Sequence, residues 1–203
     1  KYVRVIIAEL ARISDHLLST GAMGLDVGAF TFFLYAFYQR ERIYDILETL
    51  CGARFTTSYT RVGGASQDMT PQVIEKIRAF LQTFPNTLNE MERLLNRNRI
   101  FVDRMKGVGV LTKEEAINWS ASGPVARASG VTRDLRKDEP YLAYNDFDFQ
   151  VCCGRAGDCF ARYYVRMAEM RESLKIISQA IENLPSGPIN IGVDERAALP
   201  NKA

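Results

Sequence analysis

Residues 158–187 read DCFARYYVRMAEMRESLKIISQAIENLPSG. Phe160, Tyr163, Met167, Met170, Leu174, Ile177, Ile181 and Leu184 recur in alternating steps of three and four, which lays one apolar stripe along a helix. Asp158 stands where an N-cap belongs, and Pro185 with Gly187 stops the pattern. A stripe of methionine and aromatic residues this regular is core packing rather than a cofactor box. Its heptad character predicts a bundle in which this helix packs on the first two at shallow angles.

The chain opens on a second stripe, Val3, Ile6, Leu10, Ile13 and Leu17, with Glu9, Arg12 and His16 as a charge ladder on an adjoining face. His16 is the only histidine. It reads as a hydrogen-bonded or partly exposed helix residue, with catalysis or ligation as the alternative. Residues 23–37, MGLDVGAFTFFLYAF, then place Asp26 between two glycines and ahead of an aromatic helix. A carboxylate beside Phe30, Phe32, Phe33 and Phe37 is poorly hydrated, so it must cap a helix, be paired, or hold its proton with altered affinity. The helix that follows is expected to turn Phe30, Phe33, Phe37, Tyr44, Leu47 and Leu50 inward, to carry Arg40, Glu41, Arg42 and Asp45 on its polar sides, and to end at Cys51-Gly52.

Arg54 to Val62 reads as a short extended segment leading into Gly63-Gly64. Thr70-Pro71 begins another helix, and Pro85 makes it either two helices or one kinked one, continuing through Leu88, Met91, Leu94 and Leu95. Arg93, Arg97, Arg99 and Arg104 suit a solvated face better than a phosphate or partner surface. Residues 107–151 are loop-rich, with one short helix over 113–119 and a strand in which Phe147, Phe149 and Val151 share a buried face. The charges of Arg127, Arg133, Asp134, Arg136, Lys137 and Asp138 fit a salt-bridged interface or an ordinary polar loop. The fold class is mainly α: a helical bundle core with small β segments, one domain over residues 1–203.

Lys and Arg number 26 against 24 Asp and Glu, so net charge implies neither a nucleic-acid surface nor an acidic substrate. Cys51, Cys152, Cys153 and Cys159 lack the C-x-x-C spacing of a zinc or redox site, and no metal site is expected. Reduced thiols of a cytoplasmic protein are the default. The aromatic stretch breaks at Gln39 and Arg40, short of the roughly 18 apolar residues of a membrane span. The chain opens on a helical pattern with no initiator Met, which reads as a fragment without a signal peptide and with residues missing at both ends. Arg61-Val62-Gly63-Gly64 lacks dinucleotide spacing, and no phosphate loop or nucleophile with its base is present. Pattern alone stops short of a reaction.

A series of motifs in order goes further: Glu9-Leu10 with Arg12-Ile13 and His16-Leu17, Leu25-Asp26-Val27-Gly28-Ala29, Arg40-Glu41-Arg42, Arg61-Val62-Gly63-Gly64, Arg127-Ala128-Ser129-Gly130-Val131, Asp134-Leu135-Arg136-Lys137 with Pro140-Tyr141, Gly157-Asp158-Cys159 and Glu169-Met170-Arg171. Together they resemble the 49 kDa, or D, subunit of respiratory complex I over nearly the whole chain. The resemblance implies a peripheral-arm subunit of the proton-pumping NADH:quinone oxidoreductase, related in fold to the nickel-iron hydrogenase large subunit. It implies quinone as substrate, no cofactor held by this fragment, and FMN and iron-sulfur clusters in partner subunits. The expected partners are the terminal-cluster subunit and the C or 30 kDa-type subunit, with membrane contact only through partners, at the cytoplasmic face of a bacterial inner membrane.

In that family a His and a Tyr hydrogen-bond the quinone, and both would lie upstream of Lys1. The acid that pairs with the His matches Asp26, which becomes the catalytic candidate. The cavity wall would come from Leu18, Ala22, Met23, Phe33 and Leu34. Arg54, Thr56, Arg61, Gly63, Gly64 and Arg127 would lie near the terminal cluster or a subunit interface. Thr56 stands where the family commonly has a titratable His, which implies a cluster potential less dependent on pH. Phe32 stands where the family often has Pro, which would let the helix start shift. A hydrogenase large subunit and a scaffold without quinone chemistry are the competing readings.

Overall fold

The computed structural model describes residues 1–191. Helix α1 (Tyr2–Asp26) and helix α2 (Phe30–Cys51) form an antiparallel hairpin. Small residues let the two backbones close on each other. A Cβ on Gly24 would stand 2.8 Å from the Phe32 ring, and one on Gly21 would stand 3.2 Å from Ala36 Cβ. Further along, Arg40 Nε donates to Ser14 Oγ at 3.2 Å, which continues the same register. Helix α2 starts at Phe30, ahead of Phe32, whose ring is buried over Gly24 and edge-on to Tyr163.

The buried face of α2 is Phe32, Ala36, Gln39, Ile43, Tyr44, Ile46, Leu47 and Leu50, which corrects the expected one. Tyr44, Leu47 and Leu50 point inward as expected, but Phe30 is 57% exposed and Phe33 and Phe37 are only half-buried. Apolar or aromatic residues fill every position of 30–38 except Thr31, so hydrophobicity could not say which stripe met α1. The helix closes on Gly52 in the left-handed conformation (φ 73°), as its Cys-Gly ending predicts.

Two short strands follow, β1 (Thr60–Arg61) and β2 (Gly64–Ala65), paired antiparallel around Gly63. Helix α3 (Pro71–Asn96) is one continuous helix, capped by Thr70, whose side chain accepts from the Val73 N–H. Pro85 lies inside it, tolerated because Val73, Ile77, Phe80, Phe84, Leu88, Met91 and Leu95 are all buried. Helix α4 (Arg99–Met105) comes next, and Arg93, Arg97, Arg99 and Arg104 are exposed around it.

The loop-rich region holds more helix than expected: α5 (Lys113–Asn118), α6 (Gly123–Ala128), α7 (Leu135–Asp138) and a 3-10 turn at Tyr144–Asp146. The strand expected over 147–151 does not form. Phe147 and Phe149 are buried as the alternation requires, and Val151 is half-buried. The backbone bonds to a helix instead of a second strand: Asp148 N–H donates to Gln179 and Gln150 N–H to Glu172, each at 2.9 Å.

Those acceptors sit on α8 (Cys159–Glu182), the helix of the opening stripe. Tyr163, Met167, Met170, Ile177 and Ile181 are buried, and Asp158 accepts the Ala161 N–H at 2.7 Å as its cap. It runs antiparallel to α1, with Glu169 beside His16 and Ser173 beside Glu9. Packed with α2 and α3, these helices enclose one main core. Among the described residues no helix is long and apolar enough to cross a membrane. The domain expected over 1–203 is described as far as residue 191; the rest lies outside the described residues.

Candidate functional site

The polar centre of the molecule is internal. Glu9 and His16, expected on a flanking ladder, are both buried against α8. Glu9 is 0% exposed and accepts from Arg136 at 3.1 and 3.2 Å, from Tyr144 OH at 2.7 Å and from Ser173 Oγ at 2.6 Å, with Arg12 3.3 Å away. Arg136 also donates to Asp134 at 2.7 and 3.1 Å. Nearby on α8, Glu169 pairs with Arg127 at 2.6 Å and with His16 Nε2 at 2.7 Å, and Arg127 Nη1 donates to the Arg133 carbonyl at 3.1 Å. The plain reading of His16 as a hydrogen-bonded helix residue therefore holds, although its buried Nδ1 has no hydrogen-bond partner among the described residues. Arg127, Asp134 and Arg136 are inside, in neither an exposed interface nor a solvated loop.

Burial alone would raise the Glu9 carboxyl, but Arg12 and Arg136 with the Ser173 and Tyr144 hydroxyls outweigh it and hold the pKa below the ordinary value. Burial is likewise outweighed at Glu169 by His16 and Arg127, and at Asp134 by Arg136. Each folded-state pKa lies below its unfolded one, so the stability these groups confer is present above the unfolded value and lost as pH falls through the folded one. The denaturant midpoint is expected to hold between about pH 7 and pH 5 and to fall below about pH 4, near the ordinary carboxylate range. A midpoint that rose on acidification would contradict this.

Arg12, Arg127, Asp134 and Arg136 also floor a cleft of about 640 Å³ between α5, α6 and α7. None of the expected quinone-wall residues lines it. Those residues lie at the α1–α2 corner. Asp26 ends α1 and is exposed; it caps nothing, since α2 starts from Ala29 without a side-chain cap, and its carboxylate has no hydrogen bond among the described residues. Leu18, Ala22, Met23 and Phe33 are half-buried and Leu34 is 51% exposed, so they form an open edge continuous with exposed Leu25, Phe30, Tyr35 and Tyr38. The aromatic residues beside Asp26 do not desolvate it, because the one that packs inward, Phe32, turns beneath Gly24.

The residues expected near a cluster or interface divide. Arg54 is exposed, ion-paired with Glu41 and Glu48 of α2, and Thr56 is exposed beyond it. Arg61, Gly63 and Gly64 form the β-hairpin, which docks on the start of α1 where Arg4 donates to the Arg61 and Gly64 carbonyls. Gly64 is needed there, since a Cβ would lie 2.1 Å from the Ile189 carbonyl oxygen. Asp26 is at the other end of α1, roughly 33 Å away at about 1.5 Å per residue, so these residues and Asp26 do not share one pocket. Arg127 belongs to neither end; it is buried in the ion network.

Burial and the neighbouring Glu169 and Glu172 push the Cys152 thiol up to about 11, and burial also raises Cys153. Neither is an activated thiolate. Among the described residues no group of His, Cys, Asp and Glu is arranged to hold a metal ion. The ion network was invisible to spacing because its members come from α1, α6, α7 and α8. The one available signal was Glu9 and His16 lying one step from the apolar stripe.

These features define a mainly helical core built around an internal ion network, with an apolar edge left open at one corner. The chain belongs to the family described as the 49 kDa subunit of respiratory-chain NADH dehydrogenase, which it matches over residues 26–203. It is 50% identical over 202 residues to the D subunit of an NADH-quinone oxidoreductase of Methylacidiphilum infernorum, covering 99% of this chain and 48% of that protein. It is 53% identical over 188 residues to the D 1 subunit of an NADH-quinone oxidoreductase of Chloroherpeton thalassium, covering 93% and 43%. The corresponding D subunit of Akkermansia muciniphila is 48% identical over 200 residues, covering 98% and 48%. The chain thus spans about half the length of these relatives.

Proposed function

We propose that this chain is the central helical core of a peripheral-arm subunit of a proton-translocating NADH:quinone oxidoreductase, and that its α1–α2 corner forms one side of the quinone-reduction site. Membership of the 49 kDa family, with Asp26 at an uncovered apolar corner, carries the reading. Leu18, Ala22, Met23, Phe33 and Leu34 supply an apolar wall that a neighbouring subunit would close over a quinone ring. Asp26 acts through a histidine from elsewhere in the full-length subunit, orienting it and meeting proton demand when quinone is reduced.

Arg54, Thr56, Arg61, Gly63 and Gly64, at the far end of the helical hairpin, form a surface for the terminal-cluster subunit or the C or 30 kDa-type subunit. Electrons reach quinone from FMN and iron-sulfur clusters in those partners. The subunit sits at the cytoplasmic face of the bacterial inner membrane and touches the membrane through its neighbours. Its bundle shares an ancestor with the nickel-iron hydrogenase large subunit.

The test is Asp26→Asn in the assembled complex. Assembly is expected to survive while quinone reduction falls about tenfold, the equivalent of the roughly 1.5 kcal/mol of one hydrogen bond to a charged group. Unchanged turnover with unchanged proton coupling would leave a scaffold in its place.

A further inference from the structure

Helix α8 carries two kinds of basic residue. Arg171 pairs with Glu92 at 2.7 Å and Lys175 with Glu172 at 2.6 Å. Arg162 and Arg166, one turn apart, have no carboxylate partner among the described residues. Arg162 donates to the Gly157 and Gly109 carbonyls at 2.6 and 2.8 Å and lies 3.1 Å from Cys159 Sγ. Arg166 makes one hydrogen bond, from Nη1 to the Arg162 carbonyl at 2.9 Å, although the residue is half-buried. Burial pulls its pKa below the ordinary arginine value, and the charges of Glu169 and Asp15 do not restore it. Both Glu169 oxygens are already used, by His16 and Arg127, and Asp15 is exposed beyond salt-bridge reach.

A guanidinium partly withdrawn from water, with no carboxylate in salt-bridge reach, is stabilised when a carboxylate arrives to meet it. Bidentate geometry makes arginine well suited to such a partner. The position adds the direction of approach. Because α8 is antiparallel to α1, Arg162 lies toward the end of α1 that carries Asp26.

We infer that the Arg162–Arg166 face of α8 is a docking surface for an aspartate or glutamate of a neighbouring protein subunit, which pairs with Arg166 in the assembly. The inference rests on the chain being one subunit of a larger complex, and extends the interface past the quinone edge. It makes Arg166 costly in the free subunit and useful in the complex.

The experiment uses the full-length subunit and the assembled complex. For Arg166→Met, the denaturation midpoint of the purified subunit is expected to stay level or rise, while its yield in the assembled complex falls at least tenfold. A lowered midpoint would mean that Arg166 pairs within its own polypeptide, and undiminished assembly would mean that no partner uses it; either overturns the inference. In the complex carrying Arg166→Lys, a zero-length carbodiimide coupling followed by peptide mass spectrometry is expected to join residue 166 to a carboxylate of another subunit. A link to the same polypeptide, or none, overturns it. Asp26→Asn with normal turnover and an intact cross-link would remove the quinone reading and leave this surface standing.

Discussion

Glu9→Ala is expected to lower the unfolding free energy by about 3–5 kcal/mol, the usual cost of removing one member of a buried ion pair. The magnitude comes from what remains. Arg136 is 3% exposed and would keep only Asp134 as an ion-pair partner among the described residues, while the Tyr144 and Ser173 hydroxyls would lose their acceptor. Arg136 cannot neutralise itself, because a guanidinium stays protonated at any ordinary pH and the Asp134 carboxylate that supports its charge against burial remains in the variant. The denaturant midpoint of the variant measures the loss. A change below about 1 kcal/mol, the size of a surface pair, would mean that the network relaxes around the hole. Removing Arg136 as well should not recover the loss, because the buried Asp134 then loses the guanidinium it pairs with.

Gly157→Ala is the second large effect, and its cause is backbone rather than charge. Gly157 has φ +63°, and a Cβ there would lie 2.0 Å from the Leu111 carbonyl oxygen. The neighbour cannot yield cheaply, since Leu111 N–H donates to Gly157 O at 3.0 Å and Gly157 N–H donates to Ala128 O at 3.0 Å. This one residue ties the 105–112 loop, α6 and the start of α8 together. Left-handed backbone and overpacking together predict a loss of about 2–4 kcal/mol. Gly28 is the control: its φ is +91° but a Cβ would meet nothing within 4 Å, so Gly28→Ala should cost only about 1–2 kcal/mol. Equal losses at the two positions would show that the Leu111 contact is unimportant.

Both effects explain why the candidate site was legible only in part. Asp26 was singled out by its neighbours in the chain, and the helix corner that it ends is present. Its surroundings were misread because every residue of 30–38 except Thr31 is apolar or aromatic, and any of several stripes could have faced α1. The choice was made by Gly21 and Gly24, which admit Ala36 and Phe32 and leave Phe30, Leu34 and Tyr38 outside. Arg54 lies against α2, and Arg61, Gly63 and Gly64 form the hairpin on the start of α1. Their separation from Asp26 follows from the length of α2, which carries the chain back to the start of α1.

Local pattern determined the long helices of this protein, their caps at Thr70 and Asp158, the glycine end of α2 and the mainly helical class, because each depends on residues within one or two turns of each other. Ordered motifs along the chain also determined its family. Tertiary structure alone decided that Glu9, His16, Arg127, Asp134, Arg136 and Glu169 meet inside, that 147–151 bonds to α8 rather than to a strand, and that Asp26 faces outward. Those outcomes turn on which helix faces pair and on partners far apart in sequence, and hydrophobic periodicity within one segment carries no information about either.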